Sequence, residues 1–327
     1  MKFTLDSTHL DFAASIDAML SAVDVPKISR ALSDGELEPV RKLWKALAEL
    51  GVTGLAVDPE FDGLGASTLD VVVAVERLGR WAVPGPVVES IVAVPALLRE
   101  LANADQHGAL LTGLSGGDLV ATLAVDSVMP LALDAAVADA TFVVAGQSVS
   151  AAEVLSEDRS VDPSRRLATV GTTGPTWKLT MQSIDHVADR AALATAAQLI
   201  GAGQRLLETT VDYARQRHQF GKPIGTFQAI KHLLADVMIA VELARPLLFN
   251  AALSIDRDAP TARRDVSAAK VACADAAYAA SRTALQVHGA IGYTLEFDLS
   301  LWITKVRALQ SAWGTSAVHR GRVMEAL

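Results

Sequence analysis

From His186 to the C-terminus the chain reads as helix almost without pause, broken only at a few short, well-marked places. Gly221 and Pro223 interrupt the pattern once, Asp256-Arg257-Asp258-Ala259-Pro260 a second time, and Gly289 to Gly292 a third. The apolar spacing between these breakers predicts helices at about 187–217, 226–255, 261–289 and 297–324. Ala dominates the apolar fraction, which is 51% of the chain, whereas aromatic residues supply 5%. Small side chains let helices approach closely, so four long antiparallel helices in an Ala-rich bundle are expected.

Upstream, residues 8–105 read as helices with short breaks. Pro39 suits a helix first turn, Val40, Leu43, Leu47 and Leu50 follow at helical spacing, and Gly51 stands as a C-terminal stop. A turn-rich loop, Asp58 to Gly65, precedes a helix opening at Thr68 and running toward Arg80, with Ser67 or Thr68 as cap. From about Ala109 the texture changes. Leu119–Val125, Thr141–Ala145 and Thr176–Met181 are short, β-prone and bounded by turn formers. The expected fold class is therefore α+β, mostly α: an N-terminal helical domain over 1–108, a small, reduced β domain over 109–185 and a four-helix bundle over 186–327.

Several classes of function are excluded or disfavoured. A net charge of −8 repels nucleic-acid phosphates. A single cysteine, Cys273, rules out an intrachain disulfide and a multi-cysteine metal site, and reads as a small buried residue on an Ala-rich face. The seven histidines are scattered, with no metal-ligand spacing. The first residues lack the apolar core of a secretory signal, and no uncharged apolar run is long enough to span a bilayer convincingly, so a soluble cytoplasmic protein without a membrane partner is expected. Gly201-Ala202-Gly203 lies inside a helix with no strand before it, which points to close helix packing rather than a dinucleotide loop.

The first break in the bundle carries the most chemical information. Arg217-His218-Gln219-Phe220-Gly221-Lys222-Pro223-Ile224-Gly225-Thr226-Phe227-Gln228 sets a guanidinium and an aromatic ring side by side at a corner. Such a pairing suits a pyrophosphate beside an adenine. It also fits an ordinary inter-helix turn with a surface Arg.

With this turn at the first bundle corner, the order α, β, bundle resembles the flavin-dependent acyl-CoA dehydrogenases over most of the chain. Leu47–Leu55, Pro59–Gly65 and Val75–Arg80 resemble the family's N-terminal helical domain. Gln286-Val287-His288-Gly289-Ala290-Ile291-Gly292-Tyr293-Thr294-Leu295-Glu296 resembles its Gln-x-x-Gly-Gly-x-Gly-Tyr-x-x-Glu segment, with Ala290 departing at the second Gly. In that family each FAD lies across a subunit interface: one subunit supplies the β domain, the base and the ring contacts, and its neighbour supplies the Arg turn and the Gln segment. The resemblance implies that Arg217, Gln219, Phe220, Gln228, Gln286 and Gly289 bind FAD on behalf of a neighbour. Taken singly, Gln228 and Gln286 could also be helix-surface residues, and Gly289 a C-cap.

The family's base is a Glu before Gly-Thr, and here that place reads Trp313-Gly314-Thr315. Gln286 and Trp313 are 27 residues apart, which matches the family interval without a gap. An indole only donates, so it cannot take the proton. Some members place the base 26 residues before the Arg of the turn, and here that position is Ala191, with Ala192 where many members carry an Arg. Asp189 is the nearest alternative base, Glu208 and Glu296 are more remote ones, and Arg190 could stand in for the lost Arg. The stretch Ala124 to Pro130 lacks the family's glycine loop. Trp177, the only counterpart of its flavin-side Trp, reads more simply as a sheet-core residue.

The losses fall on what a subunit gives its own flavin and spare what it gives its neighbour's. This pattern implies a non-catalytic chain paired with a catalytic acyl-CoA dehydrogenase subunit in an α2β2 assembly, resembling the short subunits of actinobacterial steroid side-chain degradation. An acyl-CoA would be the substrate and electron-transfer flavoprotein a candidate oxidant. The alternatives are a self-sufficient homo-oligomer with a relocated base and a cofactor-free acyl-CoA-binding scaffold.

Overall fold

The computed structural model describes residues 5–101, 107–294 and 297–327. Six helices come first: α1 (Ser7–Ser21), α2 (Val25–Ser33), α3 (Glu38–Glu49), α4 (Thr68–Arg80), α5 (Val94–Glu100) and α6 (Gly108–Ser115). In α3, Val40, Leu43, Trp44 and Leu47 form the buried stripe that the spacing predicts, and Gly51 follows the helix at φ +77°. Ser67 is the cap of α4. Its hydroxyl accepts from the Asp70 amide at 3.2 Å, while the Asp70 carboxylate accepts from the Ser67 amide at 3.1 Å. A π-turn, Glu89–Ala93, leads into α5.

The sheet follows: β1 (Ala121–Val125), β2 (Ala132–Leu133), β3 (Ala140–Ala145), β4 (Ser148–Arg159) and β5 (Arg166–Lys178). Its order is β1-β3-β4-β5-β2, with β1 and β3 parallel and the remaining pairs antiparallel. Three expected strands are present, although Thr176–Met181 is only the end of β5. The stretch that reads as β from 109 opens instead with α6. Most of the β4–β5 ribbon is absent from the sequence reading for a physical reason: Glu153 to Arg159 are exposed on successive positions, so neither face is apolar and no alternation marks the strand.

The bundle comprises α7 (Met181–Gln216), the two-residue strands β6 (His218–Gln219) and β7 (Lys222–Pro223), α8 (Gln228–Asp256), α9 (Ala262–His288), α10 (Leu299–Leu309) and α11 (Ser316–Glu325). One expectation fails here. The single last helix expected over 297–324 is two helices, broken by a turn in which Trp313 takes φ +55° and Gly314 φ +101°. A Cβ on Gly314 would lie 2.6 Å from His319 Nε2, so the turn also requires the glycine sterically.

The glycines of α7 are packing residues, as their sequence context suggests. A Cβ on Gly201 would overlap the carbonyl oxygen of Glu76 in α4, and one on Gly203 would sit 3.2 Å from Ala277 Cα in α9. Cys273 is fully buried, and burial drives its thiol pKa far above the ordinary value. Two further features differ from the sequence reading. Asp256, read only as part of a break between helices, accepts from the Thr68 amide at 2.8 Å and so helps to cap α4. In addition, α8 is long and apolar enough to cross a membrane, the only such helix among the described residues, and it packs in the bundle against α7 and α9.

Candidate functional site

The residues implicated by sequence separate into two places. The first is the turn between α10 and α11. Trp313 is 1% exposed, and its indole Nε1 donates to Glu89 Oε1 at 2.9 Å, a carboxylate that is itself 2% exposed. His319 fixes the same turn: its Nε2 lies 3.0 Å from the Trp313 carbonyl, which can only accept, so Nε2 carries the proton. Nδ1 then accepts from the Ser267 hydroxyl at 3.1 Å. Burial pushes the His319 pKa down to about 4, which keeps the ring neutral. Lys270, buried within α9, donates to the carbonyls of Leu309 and Gly314 at 3.2 and 3.4 Å, and burial lowers its pKa to about 7.

Three residues, Glu89, His319 and Lys270, tie this turn down, and the side chain at position 313 is no proton acceptor. Among the described residues, the carboxylate bonded to the indole is Glu89, which accepts its N–H. Positions 191 and 192 are fully buried alanines on α7. A left-handed φ on a bulky residue is sterically costly, so these hydrogen bonds hold a conformation that Trp313 would not adopt alone.

The other candidate bases lie elsewhere. Asp189 pairs with Arg322 of α11 at 3.4 Å, and burial raises its pKa to about 6 against the opposing effect of Arg263 and Arg322. Arg190 reaches Thr68 Oγ1 at 3.4 Å and, with Arg99, lines a cavity of about 140 Å³ between α4, α5 and α7. Glu208 is engaged by Arg80 and by Gln204. Glu296 lies outside the described residues. Trp177 is half-buried at the end of β5, edge-on to His107 at 5.3 Å. In place of a glycine loop, Ala124–Pro130 forms a tight turn closed by Val125 and Met129.

The second place is the far end of the bundle. Strands β6 and β7 make a minimal hairpin whose two central residues, Phe220 and Gly221, both have positive φ, +52° and +79°. Gly suits that geometry; Phe costs about 1–2 kcal/mol there. Phe220 is nevertheless 91% exposed, so no burial compensates it. The Arg217 backbone is fixed, its N–H donating to Tyr213 O and its carbonyl accepting from Ile224 N, both at 2.8 Å. Its side chain is exposed, and no described carboxylate pairs with it. Phe227 packs edge-on to Phe220 at 6.2 Å, and Lys222 Nζ stands 4.5 Å over its ring.

Gln286 and Gly289 come to this same end, at the close of α9. Tyr213, in the last turn of α7, stacks on His288 with centroids 4.2 Å apart, and Phe297 packs on the other side at 5.4 Å. Gly289 has φ +64°, and open space surrounds the position a Cβ would take. Gln219, Gln228 and Gln286 are all exposed. A free guanidinium, an exposed ring, three amides and an unobstructed glycine backbone form a surface suited to a diphosphate and its adenosine. The residues present therefore fit the lent half of an FAD site.

The two places are far apart. Lys270 touches the Trp313 turn, and it lies 18 residues before His288 on α9, about 27 Å along a helix axis. Glu89, Lys270 and His319, which hold that turn, are the residues the sequence reading misses. The available signal is slight: Glu89 is a lone acid in an apolar run, and Lys270 a lone cation among alanines.

Comparison with known proteins identifies the family. Residues 6–118 match the description "Acyl-CoA dehydrogenase, N-terminal domain" and residues 177–327 match "Acyl-CoA dehydrogenase, C-terminal domain". The chain is 32% identical over 268 residues to acyl-CoA dehydrogenase IpdE2 of Mycobacterium tuberculosis, covering 80% of this chain and 79% of that protein. In fold it is similar to a chain of the ChsE4–ChsE5 complex of M. tuberculosis, with TM-score 0.87, 22% identity and coverage of 99% and 98%. A chain of the Tcur3481–Tcur3483 steroid ACAD is equally similar, with TM-score 0.87, 21% identity and 98% of both chains covered.

Proposed function

Since this chain belongs to the acyl-CoA dehydrogenase family, we propose that it is the non-catalytic subunit of a hetero-oligomeric, FAD-dependent member. In this reading a partner subunit supplies the base, and this chain completes the partner's FAD site with Arg217, Gln219, Phe220, Gln228, Gln286 and Gly289. One observation carries the reading: the base position is a buried Trp313 whose only polar hydrogen is given to Glu89, while the cofactor-facing end stands open.

The chemistry supports the same division. Desaturation of an acyl-CoA needs a base for the α-proton, and bound FAD supplies the hydride acceptor for the β-hydrogen. At position 313 itself the indole can only donate, so it cannot take the proton. At the hairpin, by contrast, Arg217 can give two parallel hydrogen bonds to a phosphate, Phe220 can face an adenine, and Gly289 lets the backbone approach without a Cβ in the way. Asp189 is a poor substitute base because Arg322 holds it. The resemblance to a chain of the ChsE4–ChsE5 complex and to one of a steroid ACAD supports pairing with a second acyl-CoA dehydrogenase subunit and a bulky, steroid-type CoA thioester. The assembly proposed for that pairing is α2β2, and electron-transfer flavoprotein is the proposed oxidant.

The test is to purify the chain with its partner and count flavin per chain. One FAD per pair is expected, with desaturation activity in the complex alone. Arg217→Ala is expected to strip most of the flavin while the complex stays assembled. Bound flavin together with acyl-CoA desaturation by this chain unaccompanied would overturn the proposal.

A further inference from the structure

Away from both places, a cleft of about 700 Å³ opens between α2, the tip of the β4–β5 ribbon and the start of α10. Four arginines line it: Arg30, Arg159, Arg165 and Arg166. Two of these have their charges answered. Arg30 pairs with Asp298, and Arg166 donates to the Ser33 carbonyl at 3.2 Å with Glu157 at 3.9 Å.

Arg165 is different. It is 6% exposed, yet its guanidinium has no hydrogen-bond partner among the described residues, and its Nε is wholly buried and unsatisfied. The neighbouring carboxylate that could have taken it is used otherwise. Asp162 accepts from the Ser164 amide and hydroxyl at 3.0 and 2.8 Å, and its second oxygen faces Lys305 Nζ at 3.5 Å. Asp134 influences Arg165 only at longer range; its Oδ1 accepts from the Arg166 amide at 2.8 Å and its Oδ2 has no partner. Arg159 is exposed at the cleft rim, with no described carboxylate paired to it.

A buried guanidinium Nε without a partner forfeits its hydrogen bond, a cost that a native structure seldom bears without return, and the terminal nitrogens are left for the cleft. A loop held by Asp162, Ser164 and Lys305 keeps Arg165 in place regardless. The fork geometry of two unanswered guanidinium groups matches a phosphate bidentately. Asp34 and Asp158 line the same cleft. These carboxylates disfavour a polyanion and accept from hydroxyl groups.

We propose that this cleft is a second ligand site, taking a small metabolite with one phosphate and several hydroxyl groups, with Arg165 as its buried anchor and Arg159 as its rim contact. It is independent of the hairpin that would serve FAD.

Calorimetric titration of the complex with D-ribose 5-phosphate and, separately, with inorganic phosphate tests it. Saturable binding of the sugar phosphate is expected, about tenfold tighter than inorganic phosphate. Arg165→Met is expected to weaken it at least tenfold, and Arg159→Gln, on the exposed rim where folding is not at stake, to weaken it severalfold. Arg217→Ala should leave it unchanged, which separates this site from the flavin surface. Equal affinity for the two probes would remove the hydroxyl requirement and overturn the metabolite assignment. Absence of binding, or binding that survives both cleft variants, would overturn the site itself.

Discussion

The α10–α11 turn and the β6–β7 hairpin each hold an aromatic residue in left-handed backbone, but by opposite means. Trp313 is buried and fastened by Glu89, His319 and Lys270 through long-range hydrogen bonds. Phe220 is exposed, and only its local two-residue turn dictates its conformation. In the first case the strain is offset by tertiary contacts and leaves nothing free for chemistry. In the second, among the described residues, only an edge-on contact with Phe227 accompanies it, as expected for a surface shaped for something outside the chain. Under the proposed function, the contrast is how one fold would close a reaction centre and still keep a binding surface open.

The strongest way to break this contrast is to reinstall the missing carboxylate. Trp313→Glu would set a second acid against buried Glu89 in the space of an indole. A loss of about 3–5 kcal/mol in unfolding free energy is expected, with no gain in desaturation by the isolated chain. Denaturant melts with an acyl-CoA assay check both; a stable, active variant would show that the turn is an eroded active site rather than a closed one.

The next effect is on pH. His319 has a pKa near 6.5 when unfolded and about 4 when folded. The unfolded state therefore takes up its proton first as the solution is acidified. The contribution is complete above pH 6.5 and is lost between 6.5 and 4, about 3 kcal/mol in all. His319→Gln, which keeps a donor for the Trp313 carbonyl, should flatten that part of the stability curve. An unchanged acid limb would place the sensitivity elsewhere.

Trp313→Phe is a milder probe of the same region. It keeps the ring but leaves the Glu89 carboxylate without its donor, and about 1–3 kcal/mol of stability should go. Thermal melts of Trp313→Phe alone and combined with Glu89→Gln measure the coupling. Additive losses would mean that the bond contributes nothing.

At the hairpin the sign differs. Phe220→Gly removes an exposed ring and relieves the left-handed backbone, so stability should stay the same or rise by up to about 1 kcal/mol. Flavin retention in the complex should fall nonetheless. Unaltered flavin content would make Phe220 an ordinary turn residue.

Much of the fold is legible locally. The Ser67–Asp70 box starts α4, Gly51 ends α3, Gly201 marks the α4–α7 contact, and breakers separate the first three bundle helices. Each is set by neighbours in sequence or by the helical period itself. The β4–β5 ribbon is not legible, because both its faces meet solvent and the pattern of burial disappears. The break at Trp313 is not legible either. An indole has no intrinsic preference for that backbone, and the hydrogen bonds that impose it come from Glu89, 224 positions from Trp313, and from Lys270, 44 positions from Gly314.

The family is legible in motifs that resemble it, and the helical and β stretches follow from residue types and spacings, since covalent order and helical period carry them; that position 313 holds a Trp is plain from the sequence. Whether position 313 is merely vacant or actively sealed depends on where a lone glutamate, a lone lysine and a histidine from distant segments meet. That is a matter of packing in three dimensions, where burial sets the charge of each group and the available donors decide which acceptors remain free.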